Sequence, residues 1–333
     1  MSPLAEKRYK LNTGAEIPAL GFGTWQSTPE ETQRAVYHAI KAGYRHIDTA
    51  LVYGNEVDVG KGIKAAIDDG LVKREDLFVT TKLWNVYANR VEEGLDASLK
   101  ALGLEYVDLY LVHWPVRMND KGIFASFLFR LSLFGGLANN VGNHPLFPKH
   151  PDGSRDIIFS HNHVDTWKDM EKLPATGKTK AVGVSNYSVP YLEKLLAEAT
   201  IVPATNQIEN HPQLAQQEIV DFCKTKGIVI EAYSPLGSTG SPLFNAEPVV
   251  EIANKRNVSP ATVLLSWHLA RGSVVLAKSI NPDRITANRE LIDLDAEDVA
   301  LLQKYADDLR ASGQQKRYVA PPFGVDMGFP DKW

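Results

Sequence analysis

Four side chains within the first 113 residues have the types needed to deliver a proton to a carbonyl oxygen: Asp48, Tyr53, Lys82 and His113. A free phenol has a pKa of about 10, too high for an efficient acid at neutral pH. A neighbouring ammonium favours the phenolate and lowers that pKa. A carboxylate keeps the ammonium charged and oriented. A histidine N–H can stabilise negative charge as it builds on the oxygen. Taken singly, each residue has a plainer reading. Asp48 before Thr49 could be a cap, Tyr53 a rim aromatic, Lys82 a solvated charge and His113 a satisfied core histidine. Together they form a proton-donor system, provided the fold gathers them.

The elements that would gather them follow a pattern. Short apolar runs end in polar residues: 46–48 leads to Tyr53, 77–81 ends at Lys82, and 107–112 ends at His113. Further on, 181–184 ends at Ser185-Asn186, 204–206 at Gln207, 228–232 at Tyr233-Ser234, and 274–277 at Lys278-Ser279. Helical periodicity predicts helices over 29–42, 56–68, 90–102, 164–173, 190–198, 216–226, 247–256 and 260–271, the first ending at Gly43, a good C-cap. Strands are predicted over 19–25, around Asp48, and over 77–82, 107–113, 179–185, 203–207, 228–233 and 273–278. Residues 9–18 alternate around Asn12-Thr13-Gly14 and read as a hairpin. Strands alternating with helices imply a parallel sheet. Eight of them favour closure, so the expectation is an α/β chain: a (β/α)₈ TIM barrel with an N-terminal β-hairpin and long active-site loops, one domain over 1–333. In such a barrel the C-terminal strand ends share one face, where chemistry is built.

Composition sets the outer bounds. The chain is 44% hydrophobic and 23% charged, as soluble domains are. A formal net charge of −4 argues against nucleic-acid or anionic-membrane partners. Cys223, the single cysteine, excludes an intrachain disulfide and suits a reducing, cytoplasmic setting. It is expected to pack rather than react, since nothing near it in sequence would lower its pKa. The first ten residues are mixed and charged, unlike a secretory signal. Gly21 and Gly23 are followed by Gln26, so the dinucleotide fingerprint of the Rossmann fold is absent. No cluster has metal-ligand spacing, and no metal is expected.

Three stretches resemble the signatures of the aldo-keto reductases, and the resemblance runs over nearly the whole chain. They are Gly43-Tyr44-Arg45-His46-Ile47-Asp48-Thr49-Ala50 with Tyr53-Gly54-Asn55-Glu56, then Val182-Gly183-Val184-Ser185-Asn186, then Lys278-Ser279-Ile280 followed by Arg284 and Asn288. The resemblance implies Tyr53 as general acid, Lys82 and Asp48 as its tuning pair, and His113 as the group that orients the carbonyl. It implies direct hydride transfer from NADP(H). Ser185, Asn186 and Gln207 would bond the carboxamide, and Tyr233 would stack on the nicotinamide. Ser234, Leu236 and Ser238 would line the pyrophosphate. Lys278, Ser279 and Arg284 would meet the 2′-phosphate, and Asn288 the adenine. Two cations near one short loop suit a phosphate that NAD lacks. Many relatives carry Glu where this chain has Ala287, which removes one adenine contact without changing the NADP expectation.

Trp25, Trp84 and Trp114 follow predicted strand ends and would form an apolar wall for a small carbonyl or polyol substrate, as family members use them. Phe323, Phe329 and Trp333 could cap the substrate or tack down the tail. The strongest likeness is to fungal NADP-dependent glycerol dehydrogenases and glyceraldehyde reductases, carried by residues 177–186, 231–239 and 281–285. Two alternatives stay open: a reductase of another sugar aldehyde, a pentose or a uronic acid with Arg117 as a candidate cation, and a non-catalytic, cofactor-sensing barrel. Small reductases of the family are mostly monomers, which is the expectation here.

One stretch departs from this pattern. Residues 122–141 form an apolar insertion after the strand that ends at His113, too short and interrupted for a membrane span. Three origins are open: a lid that closes over the site, a contact surface for a partner or membrane, or translated non-coding sequence from an incorrect gene model. The family-like flanks favour the last. Intact mass spectrometry of natively expressed protein is then expected to show a chain lacking this segment; finding its mass would reject that origin.

Overall fold

The computed structural model describes residues 2–120, 144–238 and 240–331. The insertion at 122–141 and Trp333 lie outside the described residues. A two-stranded antiparallel hairpin, β1 (Arg8–Lys10) and β2 (Glu16–Pro18), opens the chain. Its Leu11 and Ile17 are buried in one apolar cluster with Phe78, Leu109 and Leu111 of the barrel strands. The strands that follow are β3 (Leu20–Gly23), β4 (His46–Asp48), β5 (Phe78–Leu83), β6 (Val107–Val112), β7 (Thr179–Ser185), β8 (Thr205–Glu209), β9 (Val229–Tyr233) and β10 (Val274–Ala277). They pair in parallel, and β10 returns to β3, closing the barrel.

Between the strands run α1 (Pro29–Ala42), α2 (Glu56–Asp68), α3 (Val91–Leu102), α4 (His163–Met170), α5 (Val189–Leu196), α6 (Gln217–Thr225), α7 (Glu247–Arg256) and α8 (Pro260–Ala270). Local chemistry fixes many of their ends. In α1, Thr28 and Glu31 form a capping box, Pro29 occupies the first turn, and Gly43 takes a left-handed φ of 103°. Its Ala35, Val36, Ala39 and Ile40 recur at helical spacing and are buried. All of β5 and β6 is buried, as expected where helices cover one face of a sheet and a filled barrel the other.

Most predicted elements are present, with ends shifted by at most three residues. The exceptions lie at the C-terminus. The structure adds α9 (Pro282–Ala287) and α10 (Ala296–Ala311) after the last strand. Both carry an N-cap in the sequence, Asn281 and Asp295, whose side chains accept backbone N–H groups. Among the described residues, no helix is long and apolar enough to cross a membrane.

Packing of α2 on α3 depends on Gly60. A Cβ there would overlap the backbone carbonyl of Leu102 at the end of α3. Backbone cannot rotate away as a side chain can. Gly60→Ala is therefore expected to lower stability by about 1–3 kcal/mol despite its better helix propensity, read as a lower midpoint in urea unfolding.

Candidate active site

Strand register brings the first pair together. Asp48 of β4 is opposite Thr80 of β5, and Lys82 lies two residues further along. Side chains alternate along a strand, so Asp48 and Lys82 emerge on the same face of adjacent strands. Lys82 Nζ donates to both oxygens of Asp48, at 2.7 and 2.9 Å. It also donates to the Thr49 carbonyl at 2.9 Å and to the Tyr53 hydroxyl at 3.3 Å. Tyr53 ends a short 3₁₀ turn, Leu51–Tyr53, which closes at Gly54 in the left-handed region, φ 70°. The lysine is 1% exposed, so the sequence reading of a solvated charge does not hold.

Lys82 does act to lower the Tyr53 pKa, as expected, but it is outweighed. Burial is the larger influence and raises it; Lys82 acts downward and Asp48 upward, and the net direction is above the ordinary phenol value. Burial alone would depress Lys82, but Asp48 and Tyr53 outweigh it and hold the ammonium above its usual range. Burial, with Lys82 adding to it, pushes His113 well below the ordinary imidazole value, so the ring is neutral at physiological pH. A neutral imidazole still carries one N–H donor. The Tyr53 and His113 rings meet edge to face at 5.8 Å.

A polar network ties these groups to the opposite strands. Gln207 Nε2 donates to Asp48 Oδ2 at 2.8 Å, and Ser185 Oγ donates to the Gln207 carbonyl at 2.8 Å. Asn186 Nδ2 donates to the His113 carbonyl at 2.9 Å, while its Oδ1 accepts from the Tyr233 hydroxyl at 2.8 Å. Gln26, Asn186 and Ser234 all have positive φ, at 59°, 62° and 50°. Three strained non-glycine residues on one cleft are an arrangement that surrounding structure must enforce.

The candidate residues gather at a cleft of about 680 Å³. Asp48, Tyr53 and His113 line it, and Lys82 sits beneath. Trp25, Trp84 and Trp114 line it as expected, with Trp84 and Trp114 flanking His113 at 5.5 and 6.2 Å between ring centres. Phe323 closes on Trp114 at 5.6 Å. Ser185, Asn186, Gln207, Tyr233, Ser234, Leu236, Ser238, Lys278 and Arg284 are also on its walls. Ser279 and Asn288 are not: both are nearly buried, and Ser279 Oγ accepts the Asn281 N–H instead. Arg117 is likewise absent from the cleft and lies 4.0 Å from Asp120. Cys223 is fully buried, with burial pushing its thiol up to about 12, consistent with packing. Among the described residues, no group of acidic, histidine and cysteine side chains is placed to hold a metal.

The cation pair at the far wall is suited to a phosphate. Lys278 Nζ donates to the Gln26 carbonyl at 3.0 Å, and neither Lys278 nor Arg284 makes an ion pair among the described residues. Burial depresses Lys278, with Arg284 acting the same way and Glu31 opposing. Two cations that repel each other welcome an anion between them.

Comparison with known proteins agrees with this geometry. The sequence pattern of the aldo/keto reductase family matches residues 19–307. The chain belongs to that family. A D-galacturonate reductase from Hypocrea jecorina is 59% identical over 324 residues, covering 97% of this chain and 98% of its own. A glycerol 2-dehydrogenase (NADP(+)) from Saccharomyces cerevisiae is 48% identical, covering 96% of each. The solved structure of a Bombyx mori aldo-keto reductase in complex with NADP superposes with a TM-score of 0.75 at 35% identity, covering 90% of this chain and 92% of that one. In this aldo-keto reductase the cleft also includes Phe147, Arg155, Phe244 and Tyr318, which the sequence reading did not include. They come from long loops, where no strand-end rule applies.

The buried pair gives a stability test. Lys82→Met leaves the Asp48 carboxylate buried with its main partner gone, at an expected cost of about 3–5 kcal/mol. Adding Asp48→Leu is expected to recover most of that loss, as measured by urea unfolding of the single and double variants.

Proposed function

We propose that this aldo-keto reductase is an NADP-dependent oxidoreductase that interconverts small aldehydes or ketones and alcohols, acting in the cytoplasm as a monomer. The observation that carries the reading is the placement of Tyr53 and His113 together at the base of a tryptophan-walled cleft, with a buried ammonium behind the phenol. The reduced nicotinamide, when bound, supplies a hydride to the carbonyl carbon. Ser185, Asn186 and Gln207 would hold its carboxamide, Tyr233 its ring, Ser234, Leu236 and Ser238 the pyrophosphate, and Lys278 and Arg284 the 2′-phosphate. The NADP named for the yeast relative and the silkworm structure supports that choice.

The protein's own residues manage the oxygen. His113, neutral, donates an N–H to the carbonyl and orients it. Lys82 donates to the Tyr53 oxygen, leaving the phenol proton free to pass to the oxygen as negative charge develops there. A tyrosine held above its usual pKa is fully protonated at neutral pH, and an alkoxide is basic enough to take its proton. The apolar walls exclude water, which strengthens both hydrogen bonds. In the reverse direction Tyr53 must act as base.

Glyceraldehyde reduction paired with glycerol oxidation is the first substrate reading, supported by the 48% identical yeast relative. Reduction of a uronic acid is the second, supported by the 59% identical Hypocrea relative. Both are short polyhydroxy aldehydes, and both use the same chemistry.

Consumption of NADPH with DL-glyceraldehyde and with D-galacturonate, beside NADH controls, tests the reading. Tyr53→Phe is expected to lose about 10²- to 10⁴-fold in kcat while still binding NADPH. Because reduction needs the protonated phenol and Tyr53 is held above the ordinary phenol range, the kcat/KM for reduction should stay level from neutral pH through that range and fall only beyond it, while oxidation rises with pH. NADPH binding with no turnover of any aldehyde would overturn the proposal.

A further inference from the structure

We propose that Arg155 is the specificity-determining residue of the cleft and that it takes the carboxylate of a sugar acid whose aldehyde lies between Tyr53 and His113. The inference rests on the reductase reading above and names the substrate class of that same site.

Three observations place it. Arg155 lines the same cleft as Tyr53 and His113. Its neighbours differ from those of the phosphate-suited pair: Lys278 leans on Gln26 after β3, whereas Arg155 stacks on Phe147 at 4.9 Å. Phe147 meets Trp84 edge to face at 5.6 Å, and Trp84 meets His113 at 5.5 Å. Arg155 therefore lies beyond two aromatic rings from the carbonyl-orienting histidine. It stands on the wall of the cleft away from the reacting atoms, where it can act on a substrate's remote end but not on its carbonyl.

Its electrostatics are those of a waiting cation. Among the described residues Arg155 makes no ion pair with any carboxylate; its side chain's one hydrogen bond there is a long one, 3.4 Å, from Nη1 to the Phe147 carbonyl. Its neighbour Asp156 is engaged elsewhere, accepting from Asn119 at 2.9 Å and facing His150 at 3.6 Å. The segment 121–143, which enters this loop, contains no Asp or Glu. Burial depresses the guanidinium, with no anion offsetting it. Stacking on Phe147 fixes the plane of the guanidinium and leaves its donor fork free for bidentate contact with a carboxylate. Arg117, the cation singled out from sequence, has Asp120 beside it and does not line the cleft.

Steady-state kinetics of the full chain at saturating NADPH test this with D-galacturonate, D-galactose, which lacks the carboxylate, and DL-glyceraldehyde. Arg155→Met keeps an apolar stem over Phe147 and removes the charge; Arg155→Lys keeps the charge without the fork. A charged, bidentate contact remote from the reacting atoms predicts that Arg155→Met raises KM for galacturonate about 10- to 100-fold, with galactose and glyceraldehyde changed less than about twofold and Arg155→Lys in between. An equal loss on all three substrates would mean a structural role and overturn the inference. So would unchanged galacturonate kinetics, or a wild-type enzyme that reduces glyceraldehyde but not galacturonate; in those cases the reductase reading stands. A wild-type enzyme that reduces none of the three overturns both.

Discussion

A fully buried ammonium organises the mouth of this barrel. Lys82 cannot keep its charge there without compensation, because desolvation of an unpaired ion costs several kcal/mol or more. The protein answers with acceptors from β4 and its following turn: both Asp48 oxygens, the Thr49 carbonyl and the Tyr53 hydroxyl. Each acceptor is thereby constrained in turn. Asp48 takes Gln207 from β8, and Gln207 takes Ser185 from β7. A single charge placed on β5 thus links strands from half the barrel into one network.

Below this network lies a second buried polar layer. His46 Nε2 is 3.0 Å from Thr80 Oγ1 and 3.8 Å from Glu231. Burial lowers His46 to about 4 and raises Glu231 to about 7, the nearby Asp48 charge adding to the rise in Glu231. Burial favours the neutral form of each, which limits the charge directly under the ion pair. The floor of the site is polar enough to fix side chains by hydrogen bonds, and its neutral His46 carries no positive charge to compete with Lys82 for Asp48. Above it, the tryptophan walls are apolar, so the polar atoms that meet a substrate are few and well placed.

The sequence held much of this in local form. Thr28, Pro29, Glu31 and Gly43 specify both ends of α1 through capping chemistry that acts within a few residues. The even placement of polar residues after apolar strands located Asp48, His113, Ser185, Gln207 and Tyr233 at one face, because parallel strands in a closed barrel must all point the same way. The C-terminal helix Ala296–Ala311 carried a cap and a helical stripe as well, but it lies beyond the last strand, where the alternation that organised the rest of the chain has stopped. Ser279 and Asn288, expected beside the cofactor, do not line the cleft. Both are nearly buried at the two ends of the segment that carries the short helix Pro282–Ala287, and Ser279 Oγ accepts the N–H of its N-cap residue Asn281.

The sequence by itself determined the fold class, the strand ends and the residue types that meet there, since these follow from periodicity and local backbone preference. Tertiary structure alone decided the sign of the Tyr53 shift. That sign is a balance between the Lys82 charge and removal from water, and burial is a property of the packed molecule rather than of neighbouring residues. It also decided that Arg155, not Arg117, faces the cleft. Both arginines flank the same long connection; Arg117 has Asp120 three residues on, whereas Arg155 stacks on Phe147 and lines the cleft.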